Sequence, residues 1–170
     1  MGRPRVTRKA VMRSSGGRRV WTPAQLGDYD GPLLLDTHIW LWHVEGDASH
    51  VAAGTTALLD RSGAHRRLMV SDISYWEVAV KSATGKLTFS VDAAVWLQRA
   101  EQVPGIRLVP LTRPVLLQST RLSGATHSDP ADRMLIALAQ LDNIPLVTCD
   151  RLILAYASSH SGTPVVDARP

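Results

Sequence analysis

Residues 33–42 read LLLDTHIWLW, and the change of pattern inside this stretch decides the fold. Leu33-Leu34-Leu35 is a short apolar run that follows Gly31-Pro32 and ends on Asp36. A run with no polar alternation reads as a strand covered on both faces, the condition of a parallel sheet. From Ile39 the apolar spacing becomes helical, through Trp40, Leu41, Trp42 and Val44.

The strand-then-helix unit recurs along the chain. After a weaker helical stretch over 52–61, Leu68-Met69-Val70 reads as a strand that ends at Ser71-Asp72. Ser74 is expected to open the next helix, which places Tyr75, Val78 and Ala79 on one face and stops near Gly85. Residues 91–100 read as helix, 107–111 as strand and 113–122 as helix again. Asp129-Pro130 begins the strongest helix, with a good N-cap and a proline suited to the first helical position. Asn143 and Pro145 end it; Leu146-Val147-Thr148 is a strand running into Asp150, a short helix follows, and a last strand lies around Val165-Val166. Strands joined by helices imply right-handed crossovers and an α/β architecture: an open, mostly parallel sheet with helices on both faces. Such sheets bind ligands beyond the C-terminal ends of their strands.

Composition sets the frame for function. With 45% hydrophobic and 20% charged residues in a chain of 170, one packed domain is expected. The apolar runs are far shorter than the roughly 20 residues that span a bilayer, so no membrane association is expected. No apolar stretch follows the first arginines to make a secretory signal, and Cys149 has no partner for a disulfide; both point to the cytoplasm. A structural role for Cys149 at a strand end outweighs a catalytic one.

The net charge of +4 is unevenly placed. Residues 1–30 carry seven basic side chains (Arg3, Arg5, Arg8, Lys9, Arg13, Arg18, Arg19) against Asp28 and Asp30. Removing these from the totals of 19 and 15 leaves 12 basic and 13 acidic residues for 31–170. The expected organisation is therefore a basic, flexible extension over 1–30, able to meet phosphates, and a near-neutral domain over 31–168.

Four acids fall where strands end or helices begin. Asp36 and Asp150 follow strands, while Glu77 and Asp132 are expected in the first turns of helices. Taken singly, each has a plain structural role: Ser74 and Glu77 form a capping-box pattern, Asp129 and Asp150 suit N-caps, and Asp132 suits the positive end of its helix. Taken together, they come from four separate segments and converge on one edge of the expected sheet. Carboxylates gathered there repel one another unless a cation joins them, and oxygen donors suit Mg²⁺ or Mn²⁺. Such a centre can cleave a phosphodiester by in-line displacement.

These residues carry a resemblance. The strings LLLDTHIWLW (33–42), SDISYWEVAVKSATGKL (71–87), HSDPADRMLIALAQ (127–140) and IPLVTCD (144–150) resemble the PIN-domain ribonucleases, and among them the VapC toxins of type II toxin–antitoxin modules. The likeness covers about 31–168. It implies a metal-dependent endoribonuclease with Asp36 and Asp132 as central metal ligands. It further implies that Glu77 binds or orients metal and water, that Asp150 completes the pocket, and that Asp129 is an accessory. Thr37 and Thr148 would hydrogen-bond these carboxylates. The implied partners are an RNA substrate, a VapB-like antitoxin, a second copy of the chain, and operator DNA only through the antitoxin complex. The antitoxin is expected against the apolar face at 39–44 and the helix at 52–61.

Two other readings stand beside it. A phosphatase with a nucleophilic Asp36 would want a second aspartate where this chain has His38, and a catalytically silent binding module would most simply have lost one of the acids. His38 and His127 flank the expected pocket. Lys81, Lys86 and Arg133 are read as helix-surface charges able to meet phosphates, and Trp40, Trp42, Trp76 and Trp96 as core or interface residues rather than base-stacking ones.

Overall fold

A computed structural model of the chain describes residues 20–27, 29–123 and 129–170. His127 and the basic residues Arg3 to Arg19 lie outside these. The strands form one sheet, all parallel: β1 (Val20–Trp21), β2 (Leu33–Leu35), β3 (Leu68–Ser71), β4 (Ile106–Val109), β5 (Leu146–Thr148) and β6 (Val165–Asp167), in the order β1-β6-β5-β2-β3-β4. Two strands lie to one side of β2 and three to the other. The chain goes outward from β2 to β4, then crosses back to begin the other half at β5. The reversal point is therefore the crevice between the C-terminal ends of β2 and β5, where doubly wound sheets bind ligands.

Leu33, Leu34 and Leu35 are all fully buried because successive side chains of β2 enter opposite layers. Leu33 and Leu35 pack with α1 (Thr37–Glu45), α2 (Ala53–Ala64) and α4 (Ala93–Glu101) through Ile39, Trp40, Leu58 and Leu97. Leu34 packs on the other side with α5 (Arg113–Arg121), α6 (Pro130–Asp142) and α7 (Arg151–Ser159) through Val115, Leu135 and Ile153. The remaining helix, α3 (Asp72–Ala83), contacts α1 and α4 of the first layer and α6 of the second. It sends Val78 into one core and Ile73 into the other. This straddling position carries its polar face to the strand ends.

Three expectations needed correction. The helix over 72–83 starts two residues before Ser74, because Ser71 is the N-cap and its hydroxyl accepts the Ile73 N–H at 3.3 Å. The capping box from Ser74 to Glu77 therefore does not exist, and Glu77 stands in the second turn. Residues 20–26 are not apart from the domain: Val20 and Trp21 pair with Val165 and Val166, and a 3₁₀ turn over Pro23–Leu26 buries Leu26. The strand at 107–111 ends earlier, at Val109.

One tight approach fixes the end of α2 against β4. Gly105 has φ +94°, and a Cβ there would lie 2.6 Å from Gly63 Cα, so no larger residue is accommodated. No helix of the described residues is long and apolar enough to cross a membrane.

Candidate active site

Asp36 leaves β2 at the reversal point and occupies the N-cap position of α1, yet its side chain makes no capping bond. The carboxylate turns across the crevice instead, where Thr148 Oγ1 donates to Asp36 Oδ2 at 2.5 Å. The same hydroxyl accepts the Asp150 N–H at 2.9 Å. One threonine thus ties the end of β5 to the end of β2, and the Asp36 N–H adds a bond to the Val147 carbonyl at 3.0 Å.

Asp150 caps α7, its Oδ1 accepting the Leu152 and Ile153 amides at 2.7 and 3.0 Å. Asp129 caps α6 through the Ala131 amide at 2.8 Å. Asp132 is the third residue of that helix and half-buried. Glu77 is held at both oxygens: Thr37 Oγ1 donates to Oε2 at 2.6 Å, and Lys81 Nζ lies 2.6 Å from Oε1.

Electrostatics joins the acids that geometry keeps on separate segments. Asp36 is buried, and its carboxyl is pushed up chiefly by that burial. The Thr148 hydrogen bond and nearby His38 oppose the rise, whereas the charges of Glu77 and Asp150 add to it. Asp132 is pushed up to about 8, first by burial and then by Asp36, Asp129, Asp150 and Glu77. Asp36 and Asp132 thus feel neighbouring acids as charges.

Among the described residues, however, no three His, Cys, Asp or Glu side chains stand as a closed ligand set for a metal. Asp129 and Asp150 are turned to their own helix amides, while Asp36 and Glu77 are held by hydroxyls from neighbouring elements. The donors still suit a hard divalent cation: they are oxygens only, and no described hydrogen bond engages Asp36 Oδ1 or Asp150 Oδ2. A cation would offset the repulsion that adds to burial in raising Asp132.

The remaining sequence candidates divide clearly. Trp40 and Trp96 are buried core residues meeting edge to face at 5.5 Å, whereas Trp76 is 56% exposed. His38 is exposed, and its ring lies 5.9 Å from that of Trp42. Arg133 reaches back to the carbonyls of Ser119 and Leu122 at the end of α5. The Cys149 thiol is pushed up to about 11 by burial and by Asp36, which makes it a poor nucleophile. The engagement of Glu77 by Lys81 was not anticipated, although Glu followed by Lys four residues later is the helix spacing that announces it.

The PIN-domain family model matches residues 33–158, and the chain belongs to that family. It is similar to the protein named Ribonuclease VapC22 of Mycobacterium tuberculosis, at 25% identity over 124 residues, covering 73% of this chain and 91% of that one. Its fold is also that of the DNA-bound VapBC structure from Salmonella typhimurium, with a TM-score of 0.56, 12% identity, and 79% of this chain and 96% of that one covered. A toxin–antitoxin complex from Klebsiella pneumoniae matches with a TM-score of 0.54 and 20% identity, over 79% of this chain and 95% of that one.

Proposed function

We propose that this chain is a divalent-metal-dependent endoribonuclease, using Mg²⁺ or Mn²⁺, and the toxin of a VapBC-type toxin–antitoxin pair. One observation carries the reading: a single hydroxyl, that of Thr148, ties Asp36 and Asp150 together at the reversal point of the sheet, where their charges and that of Glu77 also act on Asp132. Membership in the PIN-domain family and similarity to a VapC ribonuclease support the same reading.

In this proposal Asp36 and Asp132 would be the central ligands of the cation, Glu77 would bind or orient it and water, Asp150 would complete the pocket, and Asp129 is an accessory that also caps α6. Bound there, the cation polarises water and the RNA phosphate and offsets the charge that develops in phosphodiester cleavage. The protein's own work is positioning. Thr148 holds Asp36 and Asp150 in one register, Thr37 fixes Glu77, and the α7 amides keep Asp150 aimed.

A VapB-like antitoxin would lie along α1 and α2. An apolar pocket of about 130 Å³ there is lined by Ile39, Trp42, Val51 and Leu59, and it can take one or two side chains of such a segment. A second copy of the chain, operator DNA reached only through the antitoxin, and a cytoplasmic location complete the proposal.

The test is incubation of purified protein with total RNA in Mg²⁺, in Mn²⁺ and in EDTA, with new 5′ ends mapped for the parent and for Asp36→Asn. Cleavage by the parent with metal alone is expected. Cuts that survive EDTA, or that Asp36→Asn makes equally well, overturn it.

A further inference from the structure

An RNA strand approaching this site meets carboxylates on every side, so some positive charge of the protein must face its phosphates. Among the described residues, the cation in direct ion pair with the acid cluster is Lys81. Arg133, on the first turn of α6, donates to the carbonyls of Ser119 and Leu122 that close α5. Lys81 stands one turn beyond Glu77 on α3, its side chain 29% exposed against 13% for Glu77. It therefore spans from the buried acid to the open rim.

Both oxygens of Glu77 are engaged, one by Thr37 and one by Lys81. A divalent cation arriving at the cluster competes with the ammonium group for the same carboxylate. A lysine so displaced keeps its charge, and its flexible stem leaves the group beside the path of the backbone. We infer that Lys81 is a substrate-binding residue: it neutralises Glu77 in the empty site and passes to an RNA backbone phosphate when cation and RNA bind. This rests on the nuclease reading above and adds to it the group that receives the substrate's charge.

The inference makes two effects of opposite sign. Replacing Lys81 by Met leaves Glu77 unopposed, so Mn²⁺ binds several-fold more tightly by calorimetry without RNA. The same change removes one phosphate contact, so RNA binds several-fold more weakly. With a fluorescein-labelled single-stranded RNA of mixed sequence, followed by anisotropy in Mn²⁺ with Asp36 intact and before cleavage accumulates, the slope of log K against log salt should fall by about 0.7. Lys81→Arg should restore the slope. Melting should stay close to that of the parent, because a partly exposed pair at this helix spacing contributes little to stability.

An unchanged RNA affinity and slope in Lys81→Met overturns the inference while leaving the nuclease reading intact. Weakening of both metal and RNA binding also overturns it, since that marks collapse of the site. A parent protein that binds no RNA with or without Mn²⁺ removes the nuclease reading itself, and this inference with it.

Discussion

Asp132 gives the sharpest test of whether the acids form one electrostatic unit. Its carboxyl stands at about 8 in the folded protein against an ordinary 3.8. The folded state thus keeps a proton that the unfolded chain has already released. Between those values the folded state binds more protons, so stability is full below about 4 and is lost as pH rises toward 8. At roughly 1.4 kcal/mol for each tenfold change in proton affinity, the whole interval corresponds to about 6 kcal/mol. Asp132 is only half-buried, and solvent screening reduces this to about 2 kcal/mol.

Asp132→Asn removes the charge without changing the shape. In EDTA at pH 8.5 the variant should melt ~4–8 °C above the parent, the shift that ~2 kcal/mol produces in a chain of this size. The gap should narrow at pH 5, where the parent retains most of its proton. Millimolar Mn²⁺ should then stabilise the parent by mass action and the variant far less. Thermal melts of both proteins at the two pH values, with and without Mn²⁺, read all of this. If the variant is no more stable than the parent at pH 8.5 in EDTA, or if Mn²⁺ raises both equally, the argument from repulsion is refuted.

Two further outcomes are expected. Thr148→Val removes the hydroxyl that serves Asp36 and Asp150 together; metal affinity should fall by about 10- to 100-fold, and calorimetry with Mn²⁺ checks it. Gly105→Ala should destabilise the fold by about 2 kcal/mol or more, because it forces both a positive φ and a collision with the Gly63 backbone; denaturant unfolding measures it, with the midpoint moving to lower denaturant.

The sheet was legible because its centre is extreme. Leu33-Leu34-Leu35 permits no polar face, and Asn143, which takes φ +50° at the end of α6, stops the strongest helix where its sequence says it should. The start of α3 was less legible, since Ser71 and Ser74 are both good caps and only tertiary packing chooses between them. Strand β1 has two residues and no room for a periodic signal; its place is set by Trp21 and Leu26 docking on a surface the local sequence does not describe. The positions of Asp36 and Asp150 after strands and of Asp132 at a helix start were readable, whereas Glu77 falls in the second turn of α3 and not the first. The caps that Asp129 and Asp150 make were readable too; what was not is that Asp36 makes no cap and that Glu77 is shared between Thr37 and Lys81. Those differences depend on side chains brought from across the fold, over sequence separations of 112 residues for Thr148 and Asp36 and 40 for Thr37 and Glu77.

The two-residue β1 also governs how the protein behaves toward its own kind. A parallel sheet must end somewhere, and a bare terminal strand offers its amides and carbonyls to any extended chain that meets it. Among the described residues the outermost ladder on that side is Val20 and Trp21, followed at once by a proline-led turn. Shortening the protein to residue 31 would strip this cover from Val165 and Val166, leaving a longer edge whose first two residues are apolar as a template for aggregation.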